Sequence, residues 1–260
     1  MEKGSETIHS IERALDILIL LSKEECEMGV LEIAKATGVY QSTIHRTMAT
    51  LIKKGFVYQN PANSKYGLSI KLYHIGMVAK HAFSWLDVAK PFMVRLAKEC
   101  NETVNLSIMD HSEKEKLNCI LLYQESVAKR VLGSSQILGE STPCYCSGVG
   151  KVLLAFSEED LTCRIRAQEF AAYTKNTLKD ADELMENLAR IREQGYALDE
   201  EERELGLFCV ACPIPDRRGG AVAALSISGL KSRILSTGVE NLIESLKKTA
   251  DEIAASLLGA

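Results

Sequence analysis

The chain has 260 residues, enough for one small and one medium domain. With 46% hydrophobic and 25% charged residues, no apolar run near the ~20 residues that span a bilayer and no signal-peptide pattern in Met1-Glu-Lys-Gly-Ser-Glu, it is expected to be a cytoplasmic globular protein with reduced cysteines, which argues against a helical membrane span. The net charge of −4 is segregated: residues 33–86 carry Lys35, Arg46, Lys53, Lys54, Lys65, Lys71 and Lys80 without one acid, while residues 1–32 sum to −5 and residues 87–260 to −6. A positive block inside an acidic protein suits a polyanionic partner, although a solvated lysine face would give the same count.

Residues 10–22 suit a first helix, with Ser10 as its cap, Glu12 in the first turn and Ile11, Leu15, Leu18 and Leu20/Leu21 at helical spacing. Leu31 to Thr37 forms a short second helix closed by Gly38. Gln41 begins a third, ended by Gly55, with Ile44, Met48 and Leu51 on one side and Ser42, Thr43, Arg46, Ala49, Thr50 and Lys53 on the other. That polar, basic face fits a major groove. Arg46 suits either a guanine edge or a phosphate, Lys53 and Lys54 suit the backbone, and Gln41, Ser42, Thr43, His45 and Thr50 complete the contact set. Two short β-prone runs around Asn60-Pro-Ala-Asn-Ser then predict a hairpin wing whose Lys65 can reach a neighbouring phosphate. A helical bundle with a hairpin that binds protein is the alternative.

Residues 70–85 predict a linker helix whose Tyr73, Met77, Phe83 and Trp85 exceed what the small domain can bury. Either a second copy covers them or they pack on their own chain. Beyond a helix near 87–100, strands are predicted at Thr103–Met109, Asn118–Glu125, Arg130–Leu132, Tyr196–Leu198, Leu207–Pro213 and Ala221–Ser228. Helices are predicted at Ser147–Phe156, Glu158–Gln168 and Ala181–Gln194, with one long closing helix from Ser232. The order suggests an α+β fold, an antiparallel sheet with helices to one side. The expected domains are 8–70, a linker helix at 71–86, and 87–259.

The ordered fragments Ser10-Ile-Glu-Arg-Ala-Leu-Asp-Ile-Leu, Leu31-Glu-Ile-Ala, Ser42-Thr-Ile-His-Arg, Lys65-Tyr-Gly-Leu, Ser147-Gly-Val-Gly-Lys-Val-Leu-Leu-Ala, Ile191-Arg-Glu-Gln-Gly-Tyr-Ala, Asp199-Glu-Glu-Glu, Gly206-Leu-Phe-Cys-Val-Ala and Ser226-Ile-Ser-Gly resemble the IclR family of bacterial transcriptional regulators along nearly the whole chain. The resemblance implies a winged helix-turn-helix, a linker helix and a GAF-like effector domain. It also implies a homodimer or tetramer on a double-stranded DNA operator, and a small carboxylated effector such as glyoxylate, pyruvate or an aromatic acid. Position by position, it puts effector contacts on Gly148 and Val149 (backbone), Asp199, Cys209, Ser226 and Ser228, with Leu207 as an apolar wall. The residues agree in part: glycines leave backbone N–H groups open at a helix start, and Ser226 and Ser228 share one face of a strand. A solvated hydroxyl pair and a turn-capping Asp199 are the alternatives. The sequence departs from the family at Tyr40, Tyr145 and Phe208, which bears on the helix cap and on effector identity.

No catalytic set emerges. Every histidine lies at or before His111, and Gly-x-Ser-x-Gly, the phosphate loop and His-Glu-x-x-His are all missing. No metal and no cofactor are expected. Cys209 and Cys212, three apart on a strand, should face opposite sides, whereas Cys144 and Cys146 would share a side if extended, which leaves a thiol-redox regulator as an alternative; an enzyme acting on small oxo-acids is the remote one.

Overall fold

The computed structural model describes residues 7–23, 27–80, 83–112, 115–126 and 137–258. The chain divides into two compact units, Met1–Ser84 and Trp85–Ala260. Among the described residues no helix is long and apolar enough to cross a membrane.

The first unit is a winged helix-turn-helix: α1 (His9–Lys23), α2 (Val30–Thr37), α3 (Gln41–Lys53), an antiparallel hairpin of β1 (Val57–Gln59) and β2 (Tyr66–Leu68), and α4 (Ile70–Lys80). Gly38 ends α2 at φ 68°, in the left-handed region that glycine enters without a Cβ penalty. The core gathers Ile17, Leu21, Ile33, Ile44, Met48, Leu51, Val57 and Tyr66. The buried side of α1 therefore matches the expected one only in part: Leu21 is buried and Leu18 and Leu20 pack against the core, as expected. Ile17 and Leu21 point inward, while Ile11 and Leu15 are more than half exposed. Ser10 is not the cap either, because the helix begins at His9 and the Ile8 carbonyl takes its first amides. The linker helix is described to Lys80, and residues 83–85, expected within it, are not part of an α-helix. Trp85 belongs to the second unit and packs half-buried against its core, so it needs no second copy to cover it.

The second unit is α5 (Leu86–Cys100), β3 (Thr103–Asp110), β4 (Asn118–Glu125), β5 (Ser141–Pro143), a 3-10 turn at Cys144–Cys146, α6 (Gly148–Ala155), α7 (Thr162–Ala167), α8 (Ala181–Gln194), β6 (Ala197–Glu200), β7 (Leu207–Pro215), β8 (Ala221–Leu230), α9 (Lys231–Thr237) and α10 (Val239–Leu258). Six antiparallel strands run in the order β5-β4-β3-β8-β7-β6. Helices cover both faces of the sheet, not one. Strand alternation sends Val104, Leu106, Phe208, Val210, Leu225 and Ile227 to a core shared with α5 and α10. It sends Cys209, Ala211 and Ala224 to a second core shared with α6 and α8. Both sides of the central strands are apolar, so both must be buried.

Several predicted boundaries change. The expected helix 158–168 shortens to α7, and Ser147 is the cap of α6 rather than its first turn. Cys144 and Cys146 lie in the 3-10 turn, not in an extended segment. The single closing helix is two, broken at Gly238, whose φ of 91° no helix accommodates. The strand expected at Arg130–Leu132 lies outside the described residues, and β5 was not anticipated.

Candidate functional site

The N-terminal unit presents α3 as its polar face. Buried Ile44, Met48 and Leu51 anchor one side, so Gln41, Ser42, His45, Arg46, Thr50 and Lys53 are exposed on the other, with Thr43 half-buried. Tyr40 starts the helix without a side-chain cap, and its carbonyl accepts from the amides of Thr43 and Ile44 at 2.9 and 3.1 Å. Thr50 Oγ1 donates to the Arg46 carbonyl at 3.0 Å, which spends its proton inside the helix. Among the described residues, Arg46 and Lys53 form no ion pair with the chain, whereas Lys65 lies 3.2 Å from Glu32. Lys71 Nζ donates to the Lys54 carbonyl at 2.8 Å and ties the start of α4 to the end of α3.

The wing is held by a residue the sequence reading passed over. The Glu27 carboxylate accepts from Tyr58 Oη at 2.9 Å, Asn60 Nδ2 at 2.9 Å and Asn63 Nδ2 at 2.8 Å. These bonds hold its pKa below the ordinary range, Asn63 contributing most. Asn60 and Asn63 also accept from the amides two residues on, shaping the turn. Beside this face a groove of about 760 Å³ runs between α1 and α3, lined by Ile11, Leu15, Leu18, Arg46, Thr50 and Phe56 among others.

In the second unit all the residues expected at an effector site meet. Gly148, Val149, Asp199, Leu207, Cys209, Ser226 and Ser228 line one cavity, together with Asn105 and Ser147. Sheet register explains the convergence. Asp199, Cys209 and Ser228 lie opposite one another across β6, β7 and β8, and Ser226 lies opposite Asn105 of β3. The N-terminus of α6 closes the cavity, capped by Ser147, whose Oγ accepts from the Gly150 amide at 3.1 Å. The cavity measures about 20 Å³, which is room for about one water. Asp199 accepts from the Glu202 amide at 2.9 Å, and the nearby Gly148 amide favours its charged form.

Behind Asp199 lies a buried charge cluster. Lys151, on α6, is 1% exposed. Its Nζ donates to the Leu198 carbonyl at 2.8 Å and to the Glu202 carboxylate. Glu202 Oε2 has no hydrogen-bond partner among the described residues. Burial pushes the Glu202 carboxyl up to about 7, against the pull of Lys151. Burial also raises Asp199, opposed first by Lys151. One cation thus serves two carboxylates in a desolvated setting.

The cysteines are free thiols among the described residues. Cys209 faces the cavity and Cys212 the opposite core, as three-residue spacing on a strand requires. Burial, then the Asp199 charge, pushes Cys209 up to about 12, so it is a protonated thiol and not a nucleophile at neutral pH. Burial likewise pushes Cys146 up to about 12. Cys119 is the exception, lowered to about 7 by neighbouring Cys144 first and then by the Thr142 and Ser147 hydroxyls, 3.5 and 3.9 Å from its Sγ. Among the described residues no group of three His, Cys, Asp or Glu side chains could hold a metal ion.

Asn105, Gln124, Ser147, Lys151 and Glu202 were not anticipated as parts of this site. A signal for Asn105 did exist, since Thr103, Asn105 and Ser107 alternate with apolar residues and mark a polar side of that strand.

The chain matches two family descriptions: the IclR helix-turn-helix domain over residues 10–61, and the bacterial transcriptional regulator IclR C-terminal domain over residues 78–255. It is 33% identical to the HTH-type transcriptional regulator XynR of Escherichia coli K12 over 252 residues, covering 96% of this chain and 97% of that one. The solved structure of Thermotoga maritima IclR superposes with a TM-score of 0.76 at 29% identity, over 96% of this chain and 99% of that one. An IclR homologue from Microbacterium hydrocarbonoxydans, solved with 4-hydroxybenzoate, shares the fold at a TM-score of 0.82 and 21% identity, over 96% of this chain and all of that one.

Proposed function

The chain belongs to the IclR family of bacterial DNA-binding transcriptional regulators, and from that premise we propose that it binds an operator through α3 and the wing under the control of a small organic acid held in the second unit. It works in the cytoplasm, and it is not an enzyme. The observation that carries the effector reading is the convergence of Asn105, Ser226, Ser228, Cys209 and Asp199 from four strands onto the α6 N-terminus. Buried hydroxyls and a helix N-terminus supply directed donors for a carboxylate. With about 20 Å³ of free space, the site must widen to admit even a three-carbon acid, so ligand binding and a change of conformation are coupled. A ligand that favours the widened state shifts the equilibrium only by its differential affinity.

The operator side rests on Arg46 and Lys53, exposed without acidic partners on a helix that bears no acid. Gln41, Ser42, Thr43, His45 and Thr50 flank them, and Lys65 supplies the wing contact after exchanging Glu32 for a phosphate. A homodimer or tetramer would present paired recognition helices to a partly palindromic site. Supporting this are two apolar surfaces of the first unit, Ile8 just before α1 with Ile11, Leu15 and Ile19 along it, and Ile70, Tyr73 and Met77 on α4, all exposed.

The test is the double variant Ser226→Ala/Ser228→Ala. Operator binding should persist while the response to a panel of small acids, pyruvate and 4-hydroxybenzoate included, disappears. An unchanged ligand titration rejects the pocket.

A further inference from the structure

We propose that Asn105, held in one orientation by Gln124, fixes the hydrogen-bonding polarity of the pocket so that it selects a carboxylate over the neutral carboxamide of the same shape. This rests on the effector reading above and adds to it a specificity determinant and its positioning residue.

A carboxamide has an acceptor end and a donor end. Asn105, 3% exposed, sits opposite Gln124 in the β3–β4 register. Gln124 Nε2 donates to Asn105 Oδ1 at 2.9 Å, which commits the acceptor end. Only the Nδ2 end then faces β8. It donates to Ser228 Oγ at 2.7 Å and reaches Ser226 Oγ at 3.4 Å. A hydroxyl has one proton and two lone pairs. Ser228, having accepted from Asn105, keeps its proton, and no side chain or carbonyl among the described residues takes it. Ser226, which lines the same cavity as the Cys209 thiol, likewise accepts from Asn105 and keeps its proton for a ligand acceptor.

The β3–β8 side of the pocket is therefore a donor surface. A ligand oxygen with only lone pairs satisfies it. The NH₂ end of a carboxamide cannot, because donor would meet donor. Charge-assisted bonds are about twice as strong as neutral ones, which widens the gap further.

The polarity can be inverted in two independent ways. Asn105→Asp leaves only acceptors facing β8, so the serine hydroxyls donate to Asp and turn their lone pairs to the ligand. Gln124→Glu can only accept from Asn105, so the Asn105 carboxamide must turn, offering Oδ1 to the serines. The second variant changes no side chain lining the pocket.

The experiment uses the full-length chain and matched pairs: pyruvate with pyruvamide, benzoate with benzamide, and 4-hydroxybenzoate with 4-hydroxybenzamide. Affinities are measured by titration calorimetry. The wild type should prefer the acid of at least one pair by about tenfold or more, a step of one decade in the dissociation constant. Both variants should reduce that preference by about tenfold or reverse it, while a merely structural role would weaken acid and amide alike. A preference retained in a folded Asn105→Asp or Gln124→Glu variant overturns the polarity assignment and leaves the pocket standing. Failure of the wild type to bind any member, or full binding in Ser226→Ala/Ser228→Ala, overturns the pocket itself.

Discussion

Gly150 is the position at which a single methyl group does most damage, and the damage can be worked out from contacts. A Cβ built there would lie 2.3 Å from Cys144 Cα, 2.4 Å from the Cys144 carbonyl oxygen and 2.7 Å from its carbon. These are backbone atoms of the 3-10 turn, whose Cys144, Tyr145 and Cys146 are all buried, so neither partner can swing aside. Relief requires the turn and α6 to separate by about 1 Å, which is overpacking of a filled core at the upper end of the usual ~1–3 kcal/mol. Alanine returns up to about 1 kcal/mol through its greater helix propensity. The net loss for Gly150→Ala is about 2 kcal/mol, or roughly 4–8 °C for a unit of this size. Trp85, the only tryptophan, packs on the core of the second unit, so its fluorescence follows that unit's melting selectively. Gly148→Ala is the control. Its nearest contacts would be side-chain atoms, Ala211 Cβ at 3.3 Å and Cys209 Sγ at 3.4 Å, and it should melt within about 2 °C of the wild type. If Gly150→Ala melts like the wild type, or Gly148→Ala falls as far, the close approach of turn and helix is not what fixes the α6 N-terminus.

The buried charge cluster predicts a pH dependence. Glu202 rises from 4.5 to about 7. Between those values the native state holds a proton that the unfolded chain has released, so stability falls as pH rises and the loss is complete above 7. At ~1.36 kcal/mol per unit this amounts to about 3 kcal/mol; Glu202→Gln, compared with the wild type by urea unfolding at pH 5 and pH 8, should gain that much at the higher pH, and identical pH profiles would remove Glu202 as the titrating group. Lys151→Met leaves Glu202 and Asp199 without their shared cation and should cost about 3–5 kcal/mol at pH 8. The loss should shrink at pH 5, where the carboxyls take up protons, and a pH-independent loss would mean that packing rather than charge holds the cluster.

The first unit was legible because its signals are local. Gly38 and Gly55 punctuate the helices, and Ile44, Met48 and Leu51 recur at helical spacing. What holds the wing was not legible, since Glu27 reaches Asn60 and Asn63 more than thirty residues away. In the second unit alternation on single strands gave Ser226 and Ser228, but placing them beside Asn105 requires knowing that β8 pairs with β3, a non-local register. Lys151 read as an ordinary polar helix residue until Glu202, 51 positions on, folded over it. The second helical layer was hidden because strands buried on both faces lose the polar alternation that would count the faces. The break at Gly238 could have been read from Ser236-Thr-Gly238, a run that ends helices.

The most direct test of the account is fluorescence anisotropy of a labelled duplex titrated with the full-length protein across a range of salt. Affinity should fall linearly in log salt with a slope of about 0.9 per phosphate contacted. Arg46→Ala should weaken binding by about 1–3 kcal/mol if it reads a base, or reduce the slope by about one if it holds a phosphate. Salt-insensitive binding, or an Arg46→Ala curve that overlays the wild type at every salt concentration, would contradict the assignment of α3 as the DNA-reading element.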